Sequence, residues 1–270
     1  MISFIFIGLT TAYAQDPSGA TIYEMVRIPS GEFTMGGKVG VTIERPLHTV
    51  EITRDFYMGK TEVNQQLFME VMGYDPVEYW GEACVGITLP AHPTHPAYCI
   101  SWYEAIRFAN ALSKRDGLEQ CYVFRGGALF WPRGFDCTGY RLPSEAEWEY
   151  VAKTGSDHVF SGGGEIDSFC WFWGNSNRTI HSVGKKLATD WGVHDMSGNV
   201  WEWVWDYYGD YPRVRQIDPF GAEYSEFRVR RGGSWFSGAD EVRTGTRMRR
   251  NPRSHFSLIG FRLARTAPTY

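Results

Sequence analysis

The sequence predicts a loop-rich α+β fold, and three observations carry that prediction. Two stretches show helical periodicity behind Ser-x-x-Glu starts. The remaining apolar residues fall in short alternating runs instead of long stretches. Thirty glycines, eleven tryptophans and fifteen tyrosines leave much of the 270-residue chain to ordered loops around an aromatic core. The length allows one large domain or two small ones. A net charge of −4 excludes a polycationic nucleic-acid binder.

The first helix is expected in "SWYEAIRFANALSKRDG". Ser101 and Glu104 form a capping box, Ala105, Ile106, Ala109 and Leu112 recur at helical spacing, and Gly117 stops the run. "SEAEWEYVAKTG" repeats the plan with Ser144, Glu147 and Gly155. A weaker helix is expected from Val63 to Met72. Strands are expected in "HTVEITRDFYMGK" and "NVWEWVWDYY", where Trp201, Trp203 and Trp205 share one face.

Residues 1–14 read as an export signal, with an apolar run from Ile2 to Leu9 and small residues at Ala12 and Ala14; the alternative is a first core strand. The expected location is the periplasm or cell surface. No stretch is long and apolar enough to span a membrane. Five cysteines leave at least one thiol free or paired between chains. A Cys121–Cys137 disulfide would close the Gly-rich excursion "YVFRGGALFWPRGFD" as a hairpin, although sequence does not set connectivity. His92 and His95 in "AHPTHP" stand beside prolines and read as loop residues.

Seven motifs occur in order: "MVRIPSGEFTMGG", "HTVEITRDFYMGKTEVN", "SWYEAIRFAN", "YRLPSEAEWEYVAKTG", "WGVHDMSGNVWEWVWDYY", "RRGGSW" and "IGFRLAR". Together they resemble the formylglycine-generating enzyme, or sulfatase-modifying factor, family from about Glu24 to Arg265. The resemblance implies that family's variety of the C-type lectin-like fold, with two main helices and small mixed sheets. It also implies two copper-binding cysteines after the G-G-S-W segment. Here Ser237 and Val242 stand at those positions, and neither side chain is a soft ligand for Cu(I). No copper and no formylglycine synthesis are therefore expected, and Ser234, at the family's active-site serine, has no thiol to work beside.

The resemblance places a structural calcium at Asp195, Gly198, Val200 and Glu202, a mixture of carboxylate and carbonyl oxygens that suits the ion. The other reading pairs Asp195 and Glu202 with arginines and backbone amides. The family's second calcium loop does not carry over to "GNSNRTIHSVGKK".

The segment from Arg230 to Arg265 holds nine arginines and no lysine. Most read as structural clamps for carboxylates, with Glu145, Glu147, Glu149, Asp206 and Asp218 as partners. Between them lie two segments, "FSGADE" and "RSHFSLI". Their placement at the C-terminus, between the "RRGGSW" and "IGFRLAR" motifs, resembles the variable proteins of diversity-generating retroelements. The expected function is an exported, non-catalytic ligand-binding protein with its variable region at about 230–265. Its surface would comprise Trp235, Phe236, Ser237, Gly238, Asp240, Thr244, Thr246, Met248, Arg253, Ser254, His255, Phe256 and Leu258. The expected partner is a protein or other surface macromolecule, not nucleic acid. The alternatives are a divergent formylglycine-generating-type oxidase and a cell-envelope accessory protein.

Overall fold

The strand Trp201–Tyr207 is apolar or charge-paired on both faces, so it can only be satisfied at the centre of the molecule. In the computed structural model, which describes residues 19–38 and 42–268, it pairs antiparallel with Arg228–Arg231 and parallel with Ile259–Phe261. Arg247–Arg250 pairs antiparallel with Arg228–Arg231 and completes a four-stranded sheet. The expected export signal lies outside the described residues.

Among the described residues, five helices accompany the sheets. Helix α1, Gln65–Met72, begins behind Asn64, whose side chain accepts from the Leu67 N–H, slightly later than the Val63 start that periodicity implies. Helix α2, Pro76–Trp80, is a short piece capped by Asp75 that periodicity does not reveal. Helices α3, Trp102–Arg115, and α4, Glu145–Lys153, each form both halves of the expected capping box. Helix α5 is the single turn Ile166–Phe169.

The four-stranded sheet separates two apolar clusters. Trp201 and Trp203 pack with Trp102, Ala105, Ile106 and Ala109 of α3. Val204 and Val229 pack with Ala146, Trp148 and Val151 of α4. Smaller sheets tie the ends together: Phe56–Gly59 pairs with both Met25–Ile28 and Ala264–Thr266. Val123–Arg125 and Ala128–Phe130 form the expected hairpin, closed by the Cys121–Cys137 disulfide. A second disulfide joins Cys84 to Cys99, and Cys170 is a buried free thiol.

Ion pairs hold the loops to this frame. Arg262 binds both oxygens of Glu202 at 2.7 Å, with both side chains buried, and also donates to the Gly59 and His194 carbonyls. Arg231 reaches Glu145 and Glu149, and Arg247 binds Glu145 with two bonds. Arg243 takes Glu44 in the same forked way. The expectation that most arginines are clamps holds for these four, but three of the expected partners differ. Glu147 pairs with Arg141, outside the C-terminal segment, Asp218 accepts from the Thr53 N–H and hydroxyl, and Asp206 accepts from the Glu145 N–H.

Removing one member of such a pair leaves the other charged and buried. Arg262→Met is expected to destabilise the fold by about 3–5 kcal/mol, read as a lower urea midpoint with unchanged slope. A loss below about 1 kcal/mol would mean that the clamp behaves like a surface pair.

Candidate functional site

The first displayed segment is a short turn fastened by main chain. The Trp235 N–H donates to the Asn199 carbonyl, the Ser237 N–H to the Ser234 carbonyl, and the Trp173 N–H to the Ser237 carbonyl. This fastening turns Phe236 outward, where it is 41% exposed beside Trp173, also 41% exposed. The two rings meet edge to face with centroids 4.9 Å apart, and the Arg178 guanidinium lies 4.5 Å above the Trp173 ring. Asp240 is exposed and Gly238 half-buried at the same edge. Sequence reasoning did not find Trp173 or Arg178. They lie more than fifty residues upstream, in an irregular loop with no periodicity to mark them.

The second displayed segment is a two-residue strand. His255–Phe256 pairs in parallel with Cys84–Val85, and the Ser257 N–H donates to the Val85 carbonyl. The His255 ring stacks on Trp80 at 3.6 Å and its Nε2 meets Glu104 at 2.8 Å. Arg253 is exposed over the Tyr103 ring, Ser254, Phe256 and Leu258 are half-buried, and Met248 is half-buried on the neighbouring strand. Arg253, His255, Trp80, Tyr103, Arg107 and Phe124 border a cavity of about 340 Å³. The walls contributed by Trp80, Tyr103, Arg107 and Phe124 also escaped sequence reasoning, since three are helical residues outside the apolar periodicity and the fourth lies in the short hairpin strand Val123–Arg125.

Glu104 is the polar anchor of this cavity. Burial would raise its pKa, but hydrogen bonds from His255, Ser101 and Trp80 outweigh burial and hold the carboxyl at about 2. The folded value lies below the ordinary 4.5, so this group stabilises the fold fully above about pH 4.5. The contribution is lost as pH falls toward about 2. Glu104→Gln is expected to flatten the stability profile across that window, measured by urea unfolding at stepped pH; an unchanged slope would contradict the assignment.

Four expected surface residues are scaffold instead. Trp235 is fully buried among Cys84, Tyr98, Cys99 and Val200, because the Cys84–Cys99 loop folds over it. Ser237 is buried beneath the turn that displays Phe236. Thr244 is buried with its hydroxyl on the His158 carbonyl, and its own carbonyl receives Arg231. Thr246 is buried and donates to the Asp240 carbonyl.

The expected metal set needs a correction as well. Glu202 is engaged by a cation of the protein itself: Arg262 binds both its oxygens and the Trp148 indole N–H donates to one of them. Asp195 fits a cation better. One oxygen accepts from the Gly184 N–H, while the other is buried with no partner. A buried oxygen of Glu62 is likewise unpartnered. Burial, then the charge of Asp195, pushes the Glu62 carboxyl well above its usual range. The free acidic oxygens are thus those of Asp195 and Glu62, not Glu202. Among the described residues, no three acidic, histidine or cysteine side chains gather as a metal cluster. At the two positions that hold copper in related oxidases, Ser237 and Val242 are both buried, and the Ser237 hydroxyl lies 3.3 Å from that of Ser234.

Small sheets, two capped main helices and long loops fastened by buried ion pairs define a C-type lectin-like scaffold of the formylglycine-generating variety. The chain belongs to the sulfatase-modifying factor enzyme 1-like domain family, whose pattern matches residues 10–267. The solved structure of Treponema denticola variable protein 1 is 34% identical, with a TM-score of 0.79, covering 90% of this chain and 95% of that one. The chaperone protein LppX of Paenibacillus barcinonensis is 30% identical over 217 residues, 68% of this chain and 70% of LppX. The serine/threonine-protein kinase Pkn1 of Chlamydia trachomatis is 30% identical over 262 residues, 90% of this chain but only 38% of the kinase's length.

Proposed function

We propose that this chain is a non-catalytic ligand-binding protein that displays Phe236 to Asp240 and Arg253 to Leu258 on the lectin-like scaffold. One observation carries the reading: an exposed Phe236–Trp173 pair with Arg178, on a turn fastened by main-chain hydrogen bonds at Trp235, Ser237 and Trp173. Aromatic and arginine side chains are the types that dominate the energetics of protein interfaces. The likeness to a variable protein supports the same reading, with the two segments as the retroelement-diversified positions. The ligand is then a protein or other surface macromolecule, met in the periplasm or at the cell surface after export.

The enzymatic alternative lacks its thiolates. Ser237 and Val242 offer no soft ligand, and burial pushes the Cys170 thiol up to about 12, which keeps it protonated. Calcium, in this reading, is structural: Asp195 and Glu62 would hold it, with the Gly198 and Val200 carbonyls as the remaining oxygens, and it would neutralise two buried acids.

Two tests address the surface. Immobilised protein is exposed to solubilised envelope proteins, comparing wild type, Phe236→Ala, Trp173→Ala and an Arg213→Ala control. Each aromatic truncation is expected to cost about 2 kcal/mol or more of binding with little change in melting temperature, while the control binds like wild type. Retention that is equal in all four proteins would remove the assignment. Across sister isolates, coding differences should be confined to the two segments; differences scattered over the chain would end the diversified-surface reading.

For calcium, the expected outcome is a rise in melting temperature on adding the ion, reversed by chelator and absent in Asp195→Asn. No shift in the wild type would refute the site.

A further inference from the structure

Arg231, Arg243, Arg247 and Arg262 each meet a carboxylate, but Arg230 does not. Its neighbour Arg231 points to the α4 side of the sheet, so the alternation of the strand turns Arg230 to the tryptophan side. There its guanidinium lies 4.4 Å above the Trp201 ring, and its Nε and Nη1 are buried with no hydrogen-bond partner. Burial, and then the charge of Arg250, lower its pKa to about 10; Glu241 is the acid whose field reaches it, without closing an ion pair.

Arg250 shares this environment. The strand register sets Arg230 opposite Met248 and Arg228 opposite Arg250, so Arg230 and Arg250 are diagonal neighbours on one face. The Arg250 guanidinium lies 3.8 Å above Phe256 of the second displayed segment, and its Nε is also buried without a partner. The rings of Trp201 and Phe256 attract both cations but offer their N–H groups no acceptor. Two like charges in partial burial, with orphaned donors, weaken the free protein. An unpartnered Nε also occurs at Arg141, Arg228 and Arg231, but each of those guanidinium groups makes other hydrogen bonds; perturbed charges of the kind left at Arg230 and Arg250 cluster at functional sites.

We propose that Arg230 and Arg250 form an anion subsite within the displayed surface, receiving a carboxylate of an acidic protein ligand. The proposal rests on the ligand-binding reading and specifies its chemistry. The planar guanidinium fork matches a carboxylate with paired bonds. Met248, Phe256 and Trp201 supply the apolar surround found at protein interfaces.

The test uses calorimetric titration of the full chain with a polyglutamate peptide, and separately with a heparin fragment. Wild type, Arg230→Met, Arg250→Met and the exposed control Arg213→Ala are compared. Polyglutamate is expected to bind wild type and Arg213→Ala alike, and at least about tenfold more weakly to Arg250→Met. Arg230→Met is expected to abolish binding and to raise the melting temperature of the free protein, which a purely structural arginine would not do. Should Arg230→Met fail to fold, the half-buried Arg250→Met still decides. Unchanged polyglutamate affinity in Arg250→Met overturns the subsite, as does binding of heparin with none of polyglutamate. Because Phe236→Ala and Trp173→Ala are read against envelope proteins and not against polyglutamate, failure of the subsite and failure of the wider reading give different patterns.

Discussion

Glu145 stands between two arginines from adjacent strands, and the shape of the C-terminal third depends on that placement. Arg231 and Arg247 both bind it, Glu149 one turn along α4 also binds Arg231, and Lys153 binds Glu149. Buried ion pairs add little net stability over an apolar core of equal volume. Their effect here is geometric. A guanidinium with five donors has few arrangements that satisfy it, so each pair fixes where a strand and the loop behind it lie relative to α4.

That rigidity explains how so much irregular chain can be ordered. Loop backbone must find partners for its N–H and C=O groups, and arginines supply several of them. Arg262 reaches the Gly59 and His194 carbonyls, Arg231 the Thr244 carbonyl and Arg247 the Gly209 carbonyl. The proposed binding residues therefore rest on a frame fixed by buried ion pairs, and a pre-organised frame of that kind lowers the entropic cost of binding.

How much was legible in the sequence depended on how local the physics was. The capping boxes at Ser101 and Ser144 involve residues three apart, and both were readable. The tryptophan face of the central strand followed from alternation alone. Trp235 was not readable as core, because what buries it comes from the distant loop between Cys84 and Cys99. Trp173, Arg178 and the walls of the cavity near His255 are brought to the surface by tertiary folding, with no pattern along the chain. Arg230 and Arg231 are the sharpest case. They are adjacent and chemically identical, yet strand parity sends one to carboxylates more than eighty residues away and leaves the other without any.

The fastening of the displayed segments has an evolutionary consequence. Ser257 is held through its N–H on Val85, Trp201 through its N–H on Leu258, and Trp173 through its N–H on Ser237. Main-chain bonds of this type are blind to what the side chain is. If the displayed segments are diversified as proposed, codons there can be rewritten without redrawing the path of the polypeptide, whereas the ion-paired arginines around them cannot be rewritten singly. On that reading heritable novelty is partitioned within a few ångströms: the same stretch of gene carries letters free to drift and letters pinned by charge.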